Sequence, residues 1–335
     1  MSTNQEDTQK IGALFGAGRS GTTWLGAIIS SHPEVVYRFE PFHRRNKMKV
    51  EISNAYDLLH SDVFSSKDLA SIYTALLPAY PEIEKSPFFS KNYRTNISWG
   101  KSYIFPLARK NYLVSHLFRY LYTPKDSPML VFKEVEMVNE FIQLLTRTEM
   151  PIVYLVRHPC GVVSSVMQGQ KQSLMPTGRR SVLKSLLTKY NPILADQYGT
   201  RLDELTISEQ EALLWLLDVG RALGTCQANP NALVVIYEKL VENTLEVTQK
   251  VFSHFGLTMA QESISFIEKS TSQSLKSQIK GGELGVNKYF TVYRDSKVSR
   301  DRWKKEMSEE DQKLVMKIVK NTEVFAIGAE QGLWM

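Results

Sequence analysis

A glycine-rich turn near the start of the chain has the composition of an anion-binding loop. It follows the apolar run 11–15 and combines glycines with a cation and hydroxyl groups: Gly16, Gly18, Arg19, Ser20, Gly21, Thr22 and Thr23. Glycine lets the backbone approach an anion closely, and a following helix offers unpaired N–H groups and the positive end of its dipole. The pattern predicts a strand, a turn and a helix that together bind a phosphorylated ligand.

Three interpretations of this turn are open. The glycines satisfy G-x-G-x-x-G, and Glu40 lies near the spacing of a ribose-binding acid, which favours an NAD(P)-dependent oxidoreductase. The turn also matches a Walker loop in part, but Thr22 stands where the lysine that binds the triphosphate belongs, so ATP hydrolysis is not expected. One cation with three hydroxyls instead suits a single phosphate group that needs no metal.

A second set of polar residues follows the most apolar strand candidate, 151–156. That strand ends in Arg157, not in the aspartate that would hold magnesium in a nucleotide hydrolase. Arg157 can bind a phosphate through two hydrogen bonds, and Ser165 can complete the contact two helical turns later. This segment decides against a Walker-type NTPase and counts against the oxidoreductase.

Charged residues end two other strand candidates. Glu40 follows 35–39, and Lys133 lies near the end of 129–135, where the carboxyl edge of a parallel sheet would collect ligand-binding groups. A carboxylate there can accept a proton from an attacking hydroxyl or amine, and a lysine can stabilise charge on a departing oxygen.

Other roles for these acids also remain open. Glu40 could be a surface acid that pairs with Arg38 or Arg44. Glu134 and Glu136 are second choices for the base.

Two motifs resemble those of one enzyme family. Residues 19–24, RSGTTW, resemble the 5′-phosphosulfate-binding loop of sulfotransferases that use 3′-phosphoadenosine 5′-phosphosulfate (PAPS), and 157–165 resembles their 3′-phosphate-binding motif. The phrase HPEVVYRFEP is most similar to the carbohydrate branch of the family, in which a catalytic glutamate lies at about the position of Glu40.

The resemblance implies PAPS as sulfuryl donor, 3′,5′-adenosine bisphosphate (PAP) as product, and no metal. It implies that Glu40, Lys133 and Arg19 are catalytic. The implied nucleotide-binding residues are Arg19, Ser20, Gly21, Thr22, Thr23, Trp24, Arg157 and Ser165, with weaker matches at Tyr237, Arg300 and Arg302. Tyr237 would approach the adenine, and the late basic segment 281–305 would fold over the 3′-phosphate.

The order of apolar runs predicts one α/β domain over 1–335, with a central parallel sheet flanked by helices and, by resemblance, a P-loop NTPase-like sulfotransferase fold with helical insertions. Its expected parts are the phosphosulfate loop and second strand (11–40), a helical insertion that forms the acceptor pocket (41–128), the rest of the core (129–255), and a basic loop with a packing helix (256–335). Scaffold helices are the alternative for the insertion.

Composition limits the partners. Lys and Arg (41) exceed Asp and Glu (35), a net charge of +6 that suits an anionic ligand but is too small to indicate nucleic acid. No signal peptide and no apolar run of membrane-spanning length is found, so we expect a cytoplasmic protein with a small-molecule acceptor and no membrane partner. Cys160 and Cys226 are expected to be packed thiols. A non-catalytic nucleotide-binding protein is a further alternative, and the oligomeric state is open.

Overall fold

The five strands form one parallel sheet. The structure is a computed structural model that describes residues 10–43, 49–95, 97, 100–175, 180–227, 229–271 and 296–334. Its strands are β1 (Ile11–Gly16), β2 (Val35–Phe39), β3 (Met129–Lys133), β4 (Ile152–Val156) and β5 (Ala232–Ile236). They lie in the order β2-β3-β1-β4-β5, with every neighbouring pair parallel. The predicted α/β class with a central parallel sheet is confirmed.

Helices connect and cover the strands. In chain order they are α1 (Thr22–Ser31), α2 (Val50–Leu59), α3 (Leu69–Leu76), α4 (Lys101–Ala108), α5 (Tyr112–Tyr122), α6 (Val138–Arg147), α7 (Pro159–Lys171), α8 (Arg180–Tyr190), α9 (Pro192–Tyr198), α10 (Ile207–Cys226), α11 (Tyr237–Glu242), α12 (Thr244–His254), α13 (Gln261–Thr271), α14 (Ser296–Asp301), α15 (Trp303–Glu306), α16 (Glu309–Val319) and α17 (Glu323–Ala329). Single 3₁₀ turns lie at Ser66–Asp68, Pro81–Ile83 and Gly199–Arg201.

The sheet is buried on both faces, because alternate residues of β1, β3, β4 and β5 enter different apolar clusters. On β1, Phe15 packs with α6, α7 and α10, whereas Leu14 packs with α1, α11 and α12. A strand that is covered on both sides needs apolar residues throughout, which explains the continuous apolar runs in the sequence. The carboxyl ends of the strands form the edge of the sheet at which the loops and the first turns of the helices meet.

Helical periodicity in the sequence predicts two helices of the insertion, over 55–77 and 107–122, and both are interrupted in the structure. The helical pattern over 55–77 divides into α2 and α3, separated by a loop and a 3₁₀ turn. The pattern over 107–122 divides into α4 and α5, since Asn111 accepts a hydrogen bond from the backbone N–H of Val114 (3.1 Å) and begins a new helix. The helical periodicity of the sequence continues through both interruptions, so the sequence pattern could not show where either helix breaks.

No helix among the described residues is long and apolar enough to cross a membrane. The same residues contain no cluster of three or more His, Cys, Asp or Glu side chains that could hold a metal ion.

Candidate active site

The anion-binding loop lies between β1 and α1, as its sequence predicted. Arg19 has φ 69° and Gly21 has φ 101°, both in the left-handed region. A methyl group on Gly21 would lie 2.6 Å from the ring of Tyr237, so both the backbone angle and the close approach require glycine here. Ser20 is buried and its hydroxyl donates to the carbonyl of Ala17 (2.7 Å), which closes the turn.

Arg19 joins this loop to the end of β4. Its Nε donates to the hydroxyl of Ser165 on α7 (3.0 Å), and its carbonyl oxygen accepts a hydrogen bond from Arg157 Nη1 (3.1 Å). The Arg157 guanidinium also lies 4.6 Å from the ring centroid of Tyr237. Trp24, almost fully buried, meets the same ring edge to face, with centroids 6.3 Å apart. The structure therefore brings these predicted nucleotide-binding residues together.

The Arg157 side chain shows a further feature that suits a phosphate ligand. Its Nε is buried and has no hydrogen-bond partner among the described residues. A methyl group on Gly161, in the first turn of α7, would lie 2.9 Å from that Nε, so glycine makes room for the guanidinium at the start of the helix. A buried donor without an acceptor is costly, and a phosphate oxygen would supply the acceptor.

Glu40 and Lys133 form a buried ion pair at the same edge of the sheet. Lys133 is paired in register with Leu14 of β1 and Phe39 of β2, and its Nζ donates to Glu40 Oε1. The side chain of Lys133 is 2% exposed and that of Glu40 is 18% exposed. The backbone N–H of Glu40 also donates to the Lys133 carbonyl (2.8 Å), which holds Glu40 at φ 49°. A non-glycine residue with this φ is strained and is common at functional sites.

The charge state of Glu40 follows from these contacts. Burial raises the pKa of this carboxyl, but the charge and hydrogen bond of Lys133, with smaller effects from His43 and Lys85, hold the pKa below its ordinary value. Glu40 is therefore ionised at neutral pH. Arg38, considered above as its partner, instead binds Glu84 (2.7 Å), and Arg44 lies outside the described residues.

The two second-choice bases have other contacts. Glu134 is fully buried, and its Oε1 accepts a hydrogen bond from the backbone N–H of Phe42 (2.6 Å), which fixes the turn after Glu40. Burial raises the pKa of Glu134 well above its ordinary value, so this carboxyl holds a proton more readily than Glu40 does. Glu136, at φ 60°, lies over the loop: a methyl group on Gly18 would be 2.6 Å from its Oε1.

The C-terminal basic residues make ion pairs of their own. Arg300 Nη1 lies 2.5 Å from Glu242 Oε1, and Arg302 Nε lies 3.1 Å from Glu306. Helix α14, which carries Arg300, nevertheless reaches the predicted nucleotide-binding residues, because Arg157 Nη2 donates to the carbonyl of Ser299 (2.7 Å). Residues 281–295 of the predicted basic loop lie outside the described residues.

Glu238 and Trp334, which the sequence did not indicate as part of the site, hold His158, the residue that follows Arg157. The N–H of His158 donates to Glu238 Oε1 (3.1 Å), whose Oε2 accepts from the indole of Trp334 (2.8 Å). The His158 ring stacks on Trp303 at 4.5 Å. Burial, with repulsion from Arg157, lowers the pKa of His158 to about 3, so this ring is neutral and structural. The only sequence signal was the position of Glu238 directly after Tyr237, a residue that the family resemblance indicated.

The edge of the sheet thus combines an anion-binding loop, an arginine from the next strand and a carboxylate–lysine pair. The model of the sulfotransferase domain family matches residues 13–326. The chain belongs to the sulfotransferase family. This match over nearly the whole chain decides against an NAD(P)-dependent oxidoreductase, and the sheet is the P-loop NTPase-like sheet that the resemblance implied.

Solved sulfotransferase structures are similar to this sulfotransferase in fold. A mouse sulfotransferase, SULT7A1, complexed with PAP is 12% identical, with a TM-score of 0.50 and coverage of 96% of this chain and 89% of that one. The sulfotransferase domain from the curacin biosynthetic pathway is also 12% identical, with a TM-score of 0.42 and coverage of 92% and 96%. Retinol dehydratase in a complex with retinol and PAP is 16% identical, with a TM-score of 0.39 and coverage of 93% and 81%. No curated protein sequence matches the chain.

Proposed function

We propose that this enzyme transfers a sulfuryl group from PAPS to a hydroxyl or amine of a small-molecule acceptor. The observation that carries the proposal is the buried pair of Glu40 and Lys133 at the same sheet edge as the anion-binding loop. A proton acceptor and a cation at this edge are the two groups that sulfuryl transfer requires beyond a donor site.

The donor site is proposed from residues that already contact each other. The loop amides, with Ser20, Gly21, Thr22 and Thr23, would hold the 5′-phosphosulfate. Arg157 and Ser165 would hold the 3′-phosphate, which gives Arg157 Nε the acceptor that it lacks within the described part of the chain. Bound PAPS supplies an activated sulfuryl group.

The rings around Arg157 would position the nucleotide. Tyr237 would lie beside the adenine, and the edge-to-face contact with Trp24 would hold the Tyr237 ring in place. Arg300 and Arg302 would reach the 3′-phosphate only by leaving their present ion pairs.

The chain's own residues divide the chemistry between them. Glu40, ionised and fixed by two contacts with Lys133, accepts the proton of the attacking hydroxyl or amine. Lys133 and Arg19 would stabilise negative charge that develops on the departing phosphate. The contact with Glu40 holds Lys133 at the end of β3, and the contacts with Ser165 and Arg157 hold Arg19 in the loop. Glu134 holds the turn after Glu40 through Phe42.

The acceptor would bind beside Glu40. Segment 41–128 would form much of its pocket, since this segment begins directly after Glu40, and Lys85 lies 5.0 Å from the centroid of the Phe39 ring. The phrase around Glu40 favours the carbohydrate branch, and a sugar or another natural product in the cytoplasm is the acceptor class that we propose.

The test is turnover of Glu40→Gln. We expect PAPS consumption with a panel of alcohols, sugars and amines to fall on the order of 100- to 10,000-fold, because the amide cannot accept the proton. Affinity for PAP should change less than about twofold, since Glu40 lies outside the proposed phosphate contacts. Glu34→Gln, an exposed glutamate just before β2, is the matched control and should keep normal turnover.

Glu134→Gln and Glu136→Gln complete the set. If Glu40→Gln turns over normally and one of these two does not, the base has been assigned to the wrong carboxylate. The wild type could also bind PAP tightly while no acceptor in the panel leads to PAPS consumption. That result would indicate a nucleotide-binding protein without catalytic activity.

A further inference from the structure

The α4–α5 hairpin exposes an unusual amount of apolar surface. Half of the large apolar side chains that are exposed among the described residues lie on it: Tyr103, Leu107, Tyr112, Leu113, Leu117 and Tyr120. Tyr103 is 84% exposed and Leu113 is 77% exposed. Single exposed apolar residues are ordinary, but a group on one supersecondary unit indicates an interaction surface.

The spacing places these side chains on the outer faces of both helices. On α5, Leu113, Leu117 and Tyr120 follow one another at intervals of four and three residues, and on α4 Tyr103 and Leu107 are four apart. The inner faces point the other way, since Ala108 of α4 and Phe118 of α5 enter one shared buried cluster. The two exposed stripes are therefore directed away from the protein body.

The hairpin is firmly attached to the sheet. Lys101, at the start of α4, is buried and pairs with Glu84 (3.0 Å), which also pairs with Arg38 on β2 (2.7 Å). Arg38 in turn donates to the carbonyls of Leu76 (2.6 Å) and Leu77 (2.5 Å). The exposed stripes thus belong to a fixed unit that is anchored two residues before Glu40.

The charged residues of the hairpin itself, 101–122, are all basic. Residues 85–125 contain eight Lys and Arg residues and no Asp or Glu. Of these cations, Arg94, Arg109, Lys110 and Lys125 are exposed. An exposed amphipathic unit with aromatic and aliphatic residues on one face and basic residues around it is the pattern of helices that lie in a membrane interface.

We propose that the α4–α5 hairpin docks on the surface of an anionic lipid membrane. Its apolar stripes would enter the headgroup boundary, and Arg109 and Lys110, between the helices, would face anionic headgroups. A second copy of the chain fits this surface poorly, because a symmetric pairing would place basic hairpins against each other. The expectation of no membrane partner rested on the lack of an apolar run long enough to span a membrane. Docking on the membrane surface needs no such run.

Vesicle binding of the full chain tests this proposal without nucleotide or acceptor. We expect the protein to co-sediment with vesicles of equal parts phosphatidylcholine and phosphatidylglycerol, and to bind vesicles of phosphatidylcholine alone far less. The double variant Arg109→Glu, Lys110→Glu should weaken binding to the mixed vesicles on the order of 30-fold or more, given the cost of each lost cation near an anionic surface. Lys317→Glu, Lys320→Glu, on exposed positions of α16 and its end, is the charge-matched control.

Two further double variants test the apolar contribution to vesicle binding. Leu113→Ser, Leu117→Ser should weaken binding roughly tenfold or more, because both side chains lose apolar area that the membrane would cover. Val63→Ser, Ile193→Ser removes two exposed apolar residues elsewhere and should bind as the wild type does. All four double variants replace exposed side chains, and circular dichroism should show that they stay folded.

Three outcomes would overturn the proposal. The first is equal binding, or none, to the two kinds of vesicle. The second is a dimer in analytical ultracentrifugation that dissociates in Leu113→Ser, Leu117→Ser, which would make the hairpin an interface between copies. The third is binding to polyglutamate that exceeds vesicle binding and is unaffected by the leucine variants, which would indicate an acidic protein partner.

Discussion

Replacing Lys133 with methionine isolates the ion pair on which the proposed mechanism depends. Methionine keeps the length and apolar stem of the buried lysine but removes its charge, so Glu40 loses its main counterion while staying largely buried. Breaking a buried pair by removing one partner costs about 3 to 5 kcal/mol of unfolding free energy. We expect about 3 kcal/mol at pH 7, the lower end, because the Glu40 side chain is 18% exposed and can take up a proton.

The pH dependence of that loss has a defined sign. In the wild type the Glu40 pKa lies below its ordinary value, so the carboxyl contributes stability above the unfolded-state pKa and loses it as pH falls through the folded-state pKa. In Lys133→Met the effect of burial remains without the lysine, so the folded-state pKa lies above the ordinary value and the protonated form is favoured. The stability difference between variant and wild type should therefore be largest near pH 7 and shrink on acidification.

Urea unfolding of Lys133→Met, Glu40→Gln and the double variant measures the coupling energy between Lys133 and Glu40. The double variant leaves neither an unpaired cation nor an unpaired carboxylate, so it should be more stable than the sum of the single losses predicts, by about 2 kcal/mol or more. The acid limb of kcat/KM in Lys133→Met should move to higher pH. Additive losses, or a stability difference that grows as pH falls, would refute the reasoning about this pair.

Other parts of the structure give three further predictions. Gly21→Ala should lower the unfolding free energy by about 1 to 3 kcal/mol in urea and abolish tight PAP binding, because the new methyl group would contact the Tyr237 ring at a left-handed φ; normal PAP affinity would contradict this. Glu84→Gln leaves two buried cations without a carboxylate and should cost about 3 to 5 kcal/mol, seen as a lower Tm, whereas an unchanged Tm would show that the network is neutral. Burial raises the pKa of the Cys160 and Cys226 thiols to about 12, so iodoacetamide at pH 8 should alkylate the native protein on the order of a thousandfold more slowly than a free cysteine; rapid labelling would disprove their packed state.

The sheet and the loop could be predicted because local sequence determines them. Strand β2 begins and ends where its apolar run does, and β4 and β5 lie within a residue of their runs. A buried parallel strand needs apolar residues on both faces, which makes it visible without any knowledge of its neighbours. The turn before α1 is equally local, since its glycines adopt angles and approaches that other residues cannot.

Residues whose role depends on distant partners could not be predicted. Arg38 was considered as a partner for Glu40, yet it binds Glu84, which lies 46 positions further along the chain. Glu134 was a second choice for the base on sequence grounds, and the burial that raises its pKa is visible only in the structure. Such assignments require the tertiary contacts that set each pKa.

Calorimetric titration with PAP, 5′-AMP and NADH, in the wild type and in Arg157→Ala, tests the central claim most directly. Arg157 has a buried Nε that lacks a hydrogen-bond partner among the described residues, and it contacts the loop, Tyr237 and α14, so a 3′-phosphate at this position should account for much of the affinity. We predict that PAP binds far more tightly than AMP or NADH and that Arg157→Ala loses roughly 10- to 100-fold for PAP but little for AMP. Equal affinity for AMP and PAP, or tighter binding of NADH, would contradict the assignment of this site to PAPS.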